Sequence, residues 1–105
     1  MARLPTLFIS HGSPMLALEP GTTGPALTRI GQQLPKPKAI LVISAHWLTQ
    51  HPTLTSSAMP ETIHDFGGFP QALFDVQYPA QGSQALVNAV KHCVSMVSIA
   101  EDAER

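Results

Sequence analysis

The stretch Ala39-Ile-Leu-Val-Ile-Ser-Ala-His-Trp47 joins a continuous apolar run to a short turn of small residues that carries a histidine. Residues 40–43 are all branched aliphatic, and an unbroken run of this kind is typical of a strand buried in a parallel sheet. Ligands of open α/β sheets bind outside the carboxyl ends of the strands. The pattern therefore predicts that His46 lies at the carboxyl end of a strand, where a functional site is expected.

A second stretch repeats this arrangement near the start of the chain. Residues 4–10 form a short apolar strand candidate, and the turn-forming sequence His11-Gly-Ser-Pro14 follows it directly. Two strands that each end near a histidine predict two imidazoles at one edge of a sheet, and neutral imidazole is the commonest protein ligand of transition metals. His11 and His46 are therefore candidates for half of a metal site. The alternative, that both are turn histidines satisfied by backbone hydrogen bonds, stays open.

The order of the predicted elements indicates an α/β fold. Residues 12–24 read as a long loop, and residues 25–34 place apolar side chains at helical spacing before Pro35 ends the pattern. A strand, a helix and a second strand in this order favour a parallel pair with a right-handed crossover. We expect a central, mostly parallel sheet with flanking helices. Further along, the sequence predicts a strand over 53–57, a helical turn over 70–75, a helix over 83–93 and a strand from 94 to 99.

The length of 105 residues predicts a single domain over 1–105, although this is short for a complete doubly wound enzyme. We therefore expect an incomplete, truncated version of a larger α/β domain. Residues 95–105 end in charged side chains without an apolar pattern and are expected to be divergent or frayed. An incomplete sheet would expose an edge and apolar faces, so self-association through that edge is predicted.

The charge balance argues against two classes of partner. With a net charge of -1 and only six Lys and Arg, the sequence has no electrostatic footprint for nucleic acid or for an anionic membrane. The single cysteine, Cys93, excludes an intrachain disulfide, and no apolar stretch approaches the roughly 20 residues of a membrane span. A cytoplasmic location is the expectation.

The segment Met59-Pro-Glu-Thr-Ile-His-Asp-Phe-Gly-Gly-Phe-Pro70 has the composition of a binding loop. His64 is a candidate general acid or base, whereas the neighbouring Asp65 points away from it on an extended backbone and is read as a turn former. The nearby large apolar side chains either line a pocket for a flat aromatic ligand or fill a core. These residues are Met15, Trp47, Met59, Phe66 and Phe69.

Three segments read together carry a resemblance: Phe8-Ile-Ser-His-Gly-Ser-Pro-Met15, Val42-Ile-Ser-Ala-His-Trp47 and Thr62-Ile-His-Asp-Phe-Gly-Gly-Phe-Pro70. In order and spacing they resemble the class III (LigB-like) extradiol ring-cleavage dioxygenases of the DODA type, over residues 4–94. The resemblance implies a non-haem Fe(II) or Zn(II) site at the sheet edge, a catechol substrate related to DOPA, and insertion of both atoms of O₂. On this basis His11 and His46 match two metal ligands and His64 a position suited to proton transfer. The expected substrate contacts are Ser13, Trp47, Phe66 and Phe69.

Two other functions remain open on the sequence alone. The chain could be a catalytically silent metal- or partner-binding protein of the same fold, or a zinc-dependent hydrolase with His64 as the base. Family members are about twice this long or more, and the resemblance implies that their other metal ligands lie beyond the part matched here. Oxygen uptake with a catechol separates the dioxygenase from both alternatives.

Overall fold

The fold was examined in a computed structural model that describes residues 3–105 of the chain. It contains three α-helices, one 3₁₀ helix and a two-stranded sheet among these residues. The elements in chain order are the 3₁₀ helix Pro14–Ala17, α1 Thr23–Gln33, β1 Thr53–Thr55, α2 Gln71–Phe74, α3 Gln84–Cys93 and β2 Ala100–Asp102.

The described residues form two compact units, each built from two pieces of chain. The first unit consists of the residues up to Lys38 together with Ile63–Gln77. The second unit consists of Ala39–Thr62 together with Tyr78–Arg105. The first unit therefore contains α1 and α2, and the second contains α3 and the sheet.

The sheet of the second unit is parallel, which confirms the predicted α/β class. Leu54 of β1 lies opposite Glu101 of β2, and Thr53 and Thr55 lie opposite Ala100 and Asp102. One backbone hydrogen bond continues the ladder at each end, from the Ala100 amide to the Pro52 carbonyl and from the Ser56 amide to the Asp102 carbonyl, both at 2.9 Å. The strand predicted over 53–57 is thus present, in a shorter form.

The helices follow the apolar spacing of the sequence, and α3 also begins at a capping residue. At α3, the Ser83 hydroxyl accepts a hydrogen bond from the Leu86 amide at 3.1 Å, which satisfies one of the unpaired amides at the helix start. Val87 of α3 is 5% exposed, and Leu73 of α2 is 2% exposed. Among the described residues, each unit therefore has one buried apolar side chain on a helix that the sequence predicted.

The two strands predicted over 4–10 and 40–43 are not formed. Within its own unit, neither residues 4–9 nor residues 40–43 make a backbone-to-backbone hydrogen bond to the described residues. Phe8 and Ile43 are 101% and 94% exposed. A parallel ladder requires a neighbouring strand about 4.8 Å away, and neither run has such a neighbour among the described residues of its unit. High β-propensity alone did not make them strands, because that propensity reflects packing on a sheet surface.

The last residues also differ from expectation. The strand predicted from 94 to 99 is wrong, since the second strand of the sheet lies at Ala100–Asp102. Beyond it, the Ser57 amide donates to the Arg105 carbonyl at 3.2 Å. The final residues are therefore held to the sheet of the second unit instead of being frayed.

Candidate functional site

The turn that follows His11 is organised by a serine hydroxyl. Ser13 Oγ accepts a hydrogen bond from the Met15 amide at 3.2 Å and caps the 3₁₀ helix Pro14–Ala17. Gly12 has a φ of 68°, a left-handed conformation that glycine adopts at little cost. The predicted substrate contact Ser13 thus has a structural role, and its hydroxyl proton is not used by this capping contact.

His46 lies in a turn of the same type. Its backbone amide donates to Ser44 Oγ at 3.1 Å, a local bond that serine uses to stabilise turns. His46 is thus exposed and bonded to a serine hydroxyl through its own amide, whereas His11 is exposed and lies two residues before the serine that caps the 3₁₀ helix. His11 belongs to the first unit and His46 to the second.

Trp47, a predicted substrate contact, packs against a charged side chain of the same unit. The Arg105 guanidinium lies 5.1 Å from the centroid of the Trp47 ring, within the range of a cation–π interaction. The indole ring is half-buried. This contact links the end of the described chain to the residue that follows His46.

Four aromatic rings of the first unit form a cluster, which we call the aromatic cluster: His64, Phe66, Phe69 and Phe74. The Phe66 ring lies between Phe69, at 5.4 Å and nearly perpendicular, and Phe74, at 5.0 Å and 47°. His64 meets Phe66 edge to face at 6.0 Å and Phe74 at 6.2 Å. Distances of 4.5–7 Å between tilted rings are the favourable range for aromatic pairs. The structure thus brings together three of the predicted site residues.

Phe74 is a member of the cluster that the sequence reasoning missed. It ends α2, which begins directly after Pro70, and the neighbouring Leu73 is buried. Two features of the sequence could have indicated Phe74. It lies in the same apolar stretch as Phe69, and it comes four residues after Pro70 in a predicted helical turn. A short helix that buries Leu73 and packs against the 3₁₀ helix presents Phe74 to the other rings.

A hydrogen bond ties the His64 ring to the chain that leaves α2. His64 Nε2 lies 2.7 Å from the Val76 carbonyl oxygen. Val76 follows the helix directly, and its amide donates to the Leu73 carbonyl at 3.3 Å. The imidazole is half-buried and bound at one nitrogen. It therefore has a defined position relative to the three phenylalanines of the aromatic cluster.

The described residues do not assemble a complete metal site. Over residues 3–105, no three His, Cys, Asp or Glu side chains are grouped in a way that could hold a metal ion. Two imidazoles are fewer than the three protein ligands of a typical catalytic zinc site. His11 and His46 remain a predicted pair, and the ligands present do not by themselves fit a whole centre.

A depression lies away from the predicted site residues. It is an open, mostly apolar hollow in the first unit, lined by Pro20, Gly24, Pro25, Thr28 and Arg29. It does not correspond to the predicted pocket for a flat aromatic ligand.

Among residues 3–105, no helix combines the length and apolar character needed to cross a membrane.

Comparison with known proteins gives one consistent result. A family model described as the catalytic LigB subunit of aromatic ring-opening dioxygenase matches residues 5–103. The chain is 46% identical over 102 residues to the 4,5-DOPA dioxygenase extradiol of Escherichia coli (strain K12), which covers 97% of this chain and 38% of the relative. It is 42% identical over 89 residues to the protein of the same name from Beta vulgaris, covering 82% of the chain and 33% of the relative.

A fungal relative carries a different name. The chain is 33% identical over 98 residues to dioxygenase tasH of Hapsidospora irregularis, covering 82% of the chain and 30% of the relative. The chain thus spans 30–38% of the length of these relatives.

Proposed function

The chain belongs to the LigB family of aromatic ring-opening dioxygenases, and from this we propose that it supplies metal ligands and a proton-transfer loop to an extradiol dioxygenase. The proposed reaction inserts both atoms of O₂ into a catechol of the DOPA type. The observation that carries the proposal is the family match over residues 5–103, which includes all three motif segments. Relatives named 4,5-DOPA dioxygenase extradiol support a catechol substrate.

The chemistry of this family depends on a metal, and we propose Fe(II) or Zn(II) as the ion. His11 and His46 would each offer one imidazole nitrogen, and the further ligands would come from outside the described residues. When bound, the metal supplies the open coordination positions that bring a catechol and O₂ together. The turn at His46 supports this role, because the Ser44 hydroxyl accepts a hydrogen bond from the backbone amide of the residue that carries the imidazole.

Within the chain, we assign proton transfer to His64 and substrate contacts to the residues around it. His64 is a member of the aromatic cluster, in which Phe66 and Phe69 would offer apolar faces to a flat catechol ring. A histidine in this position can accept a proton from a catechol hydroxyl. Ser13 and Trp47 are the remaining proposed substrate contacts.

The exposed apolar runs support a further proposal, that the chain associates with itself. Phe8 and Ile43 stand fully or almost fully in solvent, and both lie in runs of high β-propensity without a strand partner in their unit. Sedimentation velocity over a range of concentrations should therefore reveal oligomers, and Ile43→Lys should reduce them. A stable, folded monomer at all concentrations would contradict this proposal.

No nucleic acid or membrane partner is proposed, and the lone exposed thiol of Cys93 suits a reducing cytoplasm.

The first experiment titrates the chain anaerobically with Fe(II), and separately with Zn(II), and measures the heat of binding by calorimetry. We expect binding that His11→Ala and His46→Ala each abolish. His92→Ala, an exposed histidine on α3 outside the motifs, is the matched control and should leave binding unchanged. Binding that survives both motif substitutions, or no binding in a folded chain, would overturn the assignment of the two ligands.

The second experiment measures oxygen consumption by the iron-loaded chain with a catechol. One O₂ consumed per catechol lost, with both atoms of ¹⁸O₂ recovered in a ring-opened product and no H₂O₂ formed, would support ring opening with incorporation of both oxygen atoms. Hydrolysis of an activated ester without O₂ uptake would instead favour a zinc-dependent hydrolase. Metal binding with neither reaction would favour a catalytically silent binding protein.

A further inference from the structure

The contact between His64 and Val76 constrains where the imidazole proton sits. Nε2 lies 2.7 Å from the Val76 carbonyl oxygen, and a carbonyl oxygen can only accept a hydrogen bond. Nε2 must therefore carry a proton whenever this bond is made. In the neutral ring the other nitrogen, Nδ1, then holds the lone pair.

The Val76 carbonyl is itself held in place by the helix before it. The Val76 amide donates to the Leu73 carbonyl, and the Asp75 amide donates to the Gln71 carbonyl at 3.1 Å. Leu73, at 2% exposure, anchors this turn in the first unit. The acceptor for His64 is therefore not a mobile side chain but a backbone group fixed by a buried residue.

Two phenylalanines pack against the His64 ring. Phe66 meets it at an interplanar angle of 90° and Phe74 at 45°, with centroids 6.0 and 6.2 Å away. Turning the imidazole over about its Cβ–Cγ bond would put Cε1 in the place of Nε2, and the N–H···O hydrogen bond to the Val76 carbonyl would be lost. The hydrogen bond thus favours the observed orientation of the ring.

We propose that the Val76 carbonyl is a positioning group that keeps His64 in the Nε2–H tautomer and leaves Nδ1 as the proton acceptor. This inference rests on the proposed function for its substrate, a catechol. In the transfer, the catechol O–H bond breaks, its electron pair stays on oxygen, and the proton forms a bond to Nδ1. The Nε2–H bond to Val76 then becomes charge-assisted and stronger, so the carbonyl stabilises the imidazolium as it forms.

The test is NMR of the full chain labelled with ¹⁵N at histidine, recorded without metal or catechol at about pH 8.5, where histidine is ordinarily neutral. Long-range proton–nitrogen correlations distinguish a protonated ring nitrogen from one with a lone pair, and His64→Gln identifies the His64 signals by their loss. We expect His64 to be wholly Nε2–H, with its ring proton exchanging about tenfold more slowly than that of His92 on α3. A predominant Nδ1–H tautomer, or exchange as fast as at His92, would overturn the proposal.

A second measurement separates the carbonyl's effect from the intrinsic preference of imidazole. Replacing the 76–77 amide by an ester through chemical ligation weakens the Val76 carbonyl as an acceptor, while the side chains are unchanged. The exchange of the His64 ring proton should become faster, and the same replacement at the 91–92 bond should leave it unaltered. An unchanged His64 ring proton in the first ester would contradict the positioning role. Neither measurement depends on dioxygenase activity, so a failure of the proposed function is recognised separately by the absence of O₂ uptake.

Discussion

The apolar runs and the aromatic cluster are both rich in large apolar residues, yet only the aromatic cluster finds its partners within its own unit. Residues 40–43 and 4–9 make no backbone-to-backbone hydrogen bond to the described residues of their units, and Ile43 is 94% exposed. The rings of Phe66 and His64 contact neighbours at most twelve residues away in sequence. A strand depends on a neighbouring strand, whereas an aromatic cluster around a short helix can be satisfied locally.

This difference bears on function. The two candidate metal ligands follow the runs that lack strand partners, and the proposed proton acceptor belongs to the cluster that has its partners. We therefore expect the loop that carries His64 to hold its geometry in this chain. The placement of His11 and His46, in contrast, depends on what packs against residues 4–9 and 40–43.

The largest effect is expected on replacing the buried anchor of the cluster. Leu73→Ala should lower the free energy of unfolding by about 2–5 kcal/mol, because it removes buried methyl groups and leaves a cavity. The matched change Ile43→Ala, in a run that is almost fully exposed, should cost less than about 0.5 kcal/mol. Urea denaturation of both variants measures the contrast. Equal losses would mean that residues 40–43 are buried in solution.

A smaller effect is expected at the centre of the cluster. Phe66→Leu keeps an apolar side chain but loses the tilted ring contacts to Phe69, Phe74 and His64. It should cost about 0.5–1.5 kcal/mol of unfolding free energy beyond the change in buried area. Phe8→Leu, at a fully exposed ring of the same unit, serves as the control and should be close to neutral. A neutral Phe66→Leu would show that the rings do not interact in solution.

The sequence predicted the elements whose stabilising contacts are local. The helices over 25–34 and 83–93 were found because their apolar spacing and their flanking Pro or Ser residues act within the helix itself. The parallel α/β class was also confirmed. The strand over 40–43 was wrong because its formation depends on a neighbouring strand, which a local pattern does not specify.

The residues of the candidate site also divide into those with local contacts, which the sequence predicted, and those with contacts to distant parts of the chain. The association of Phe66 and Phe69 with His64 followed from their closeness in sequence, but Phe74 was missed although a helical turn was predicted over 70–75, because the spacing did not show which side chain of that turn meets the rings. Trp47 was interpreted as a ligand contact, and its approach to Arg105 depends on the end of the chain returning to β1. A sequence pattern does not reveal such a return.

A modest effect is expected from a hydrogen bond of the second unit. Thr62 Oγ1 accepts from the Tyr78 amide at 2.9 Å, at the points where the chain leaves this unit and re-enters it. Thr62→Val keeps the shape and removes the acceptor, so it should cost about 0.5 kcal/mol, the low end for a hydrogen bond exposed to water. Thr6→Val, in the exposed run of residues 4–9, is the control. Identical unfolding curves for Thr62→Val and the unmodified chain would count against this bond.

The smallest effect is an acid-dependent one at the sheet. Hydrogen bonds from Lys91, at 2.8 Å, and from Gln84 hold the pKa of Glu101 below its ordinary value of 4.5. A lowered pKa in the folded state stabilises the chain above pH 4.5, and this stabilisation is lost as the pH falls through the folded-state pKa. Glu101→Gln should therefore be slightly less stable than the unmodified chain at pH 7 and equal to it in acid. A difference that persisted or grew in acid would contradict this ion pair.

The most direct test of the contrast between the exposed apolar runs and the aromatic cluster is amide hydrogen exchange, measured residue by residue on the dilute chain. We predict that the amides of Leu73 and Val76 exchange at least about tenfold more slowly than the amides of residues 40–43, which should exchange almost as fast as in an unfolded chain. Equal or greater protection of residues 40–43 would contradict the account, because it would show that the run before His46 already has its strand partners.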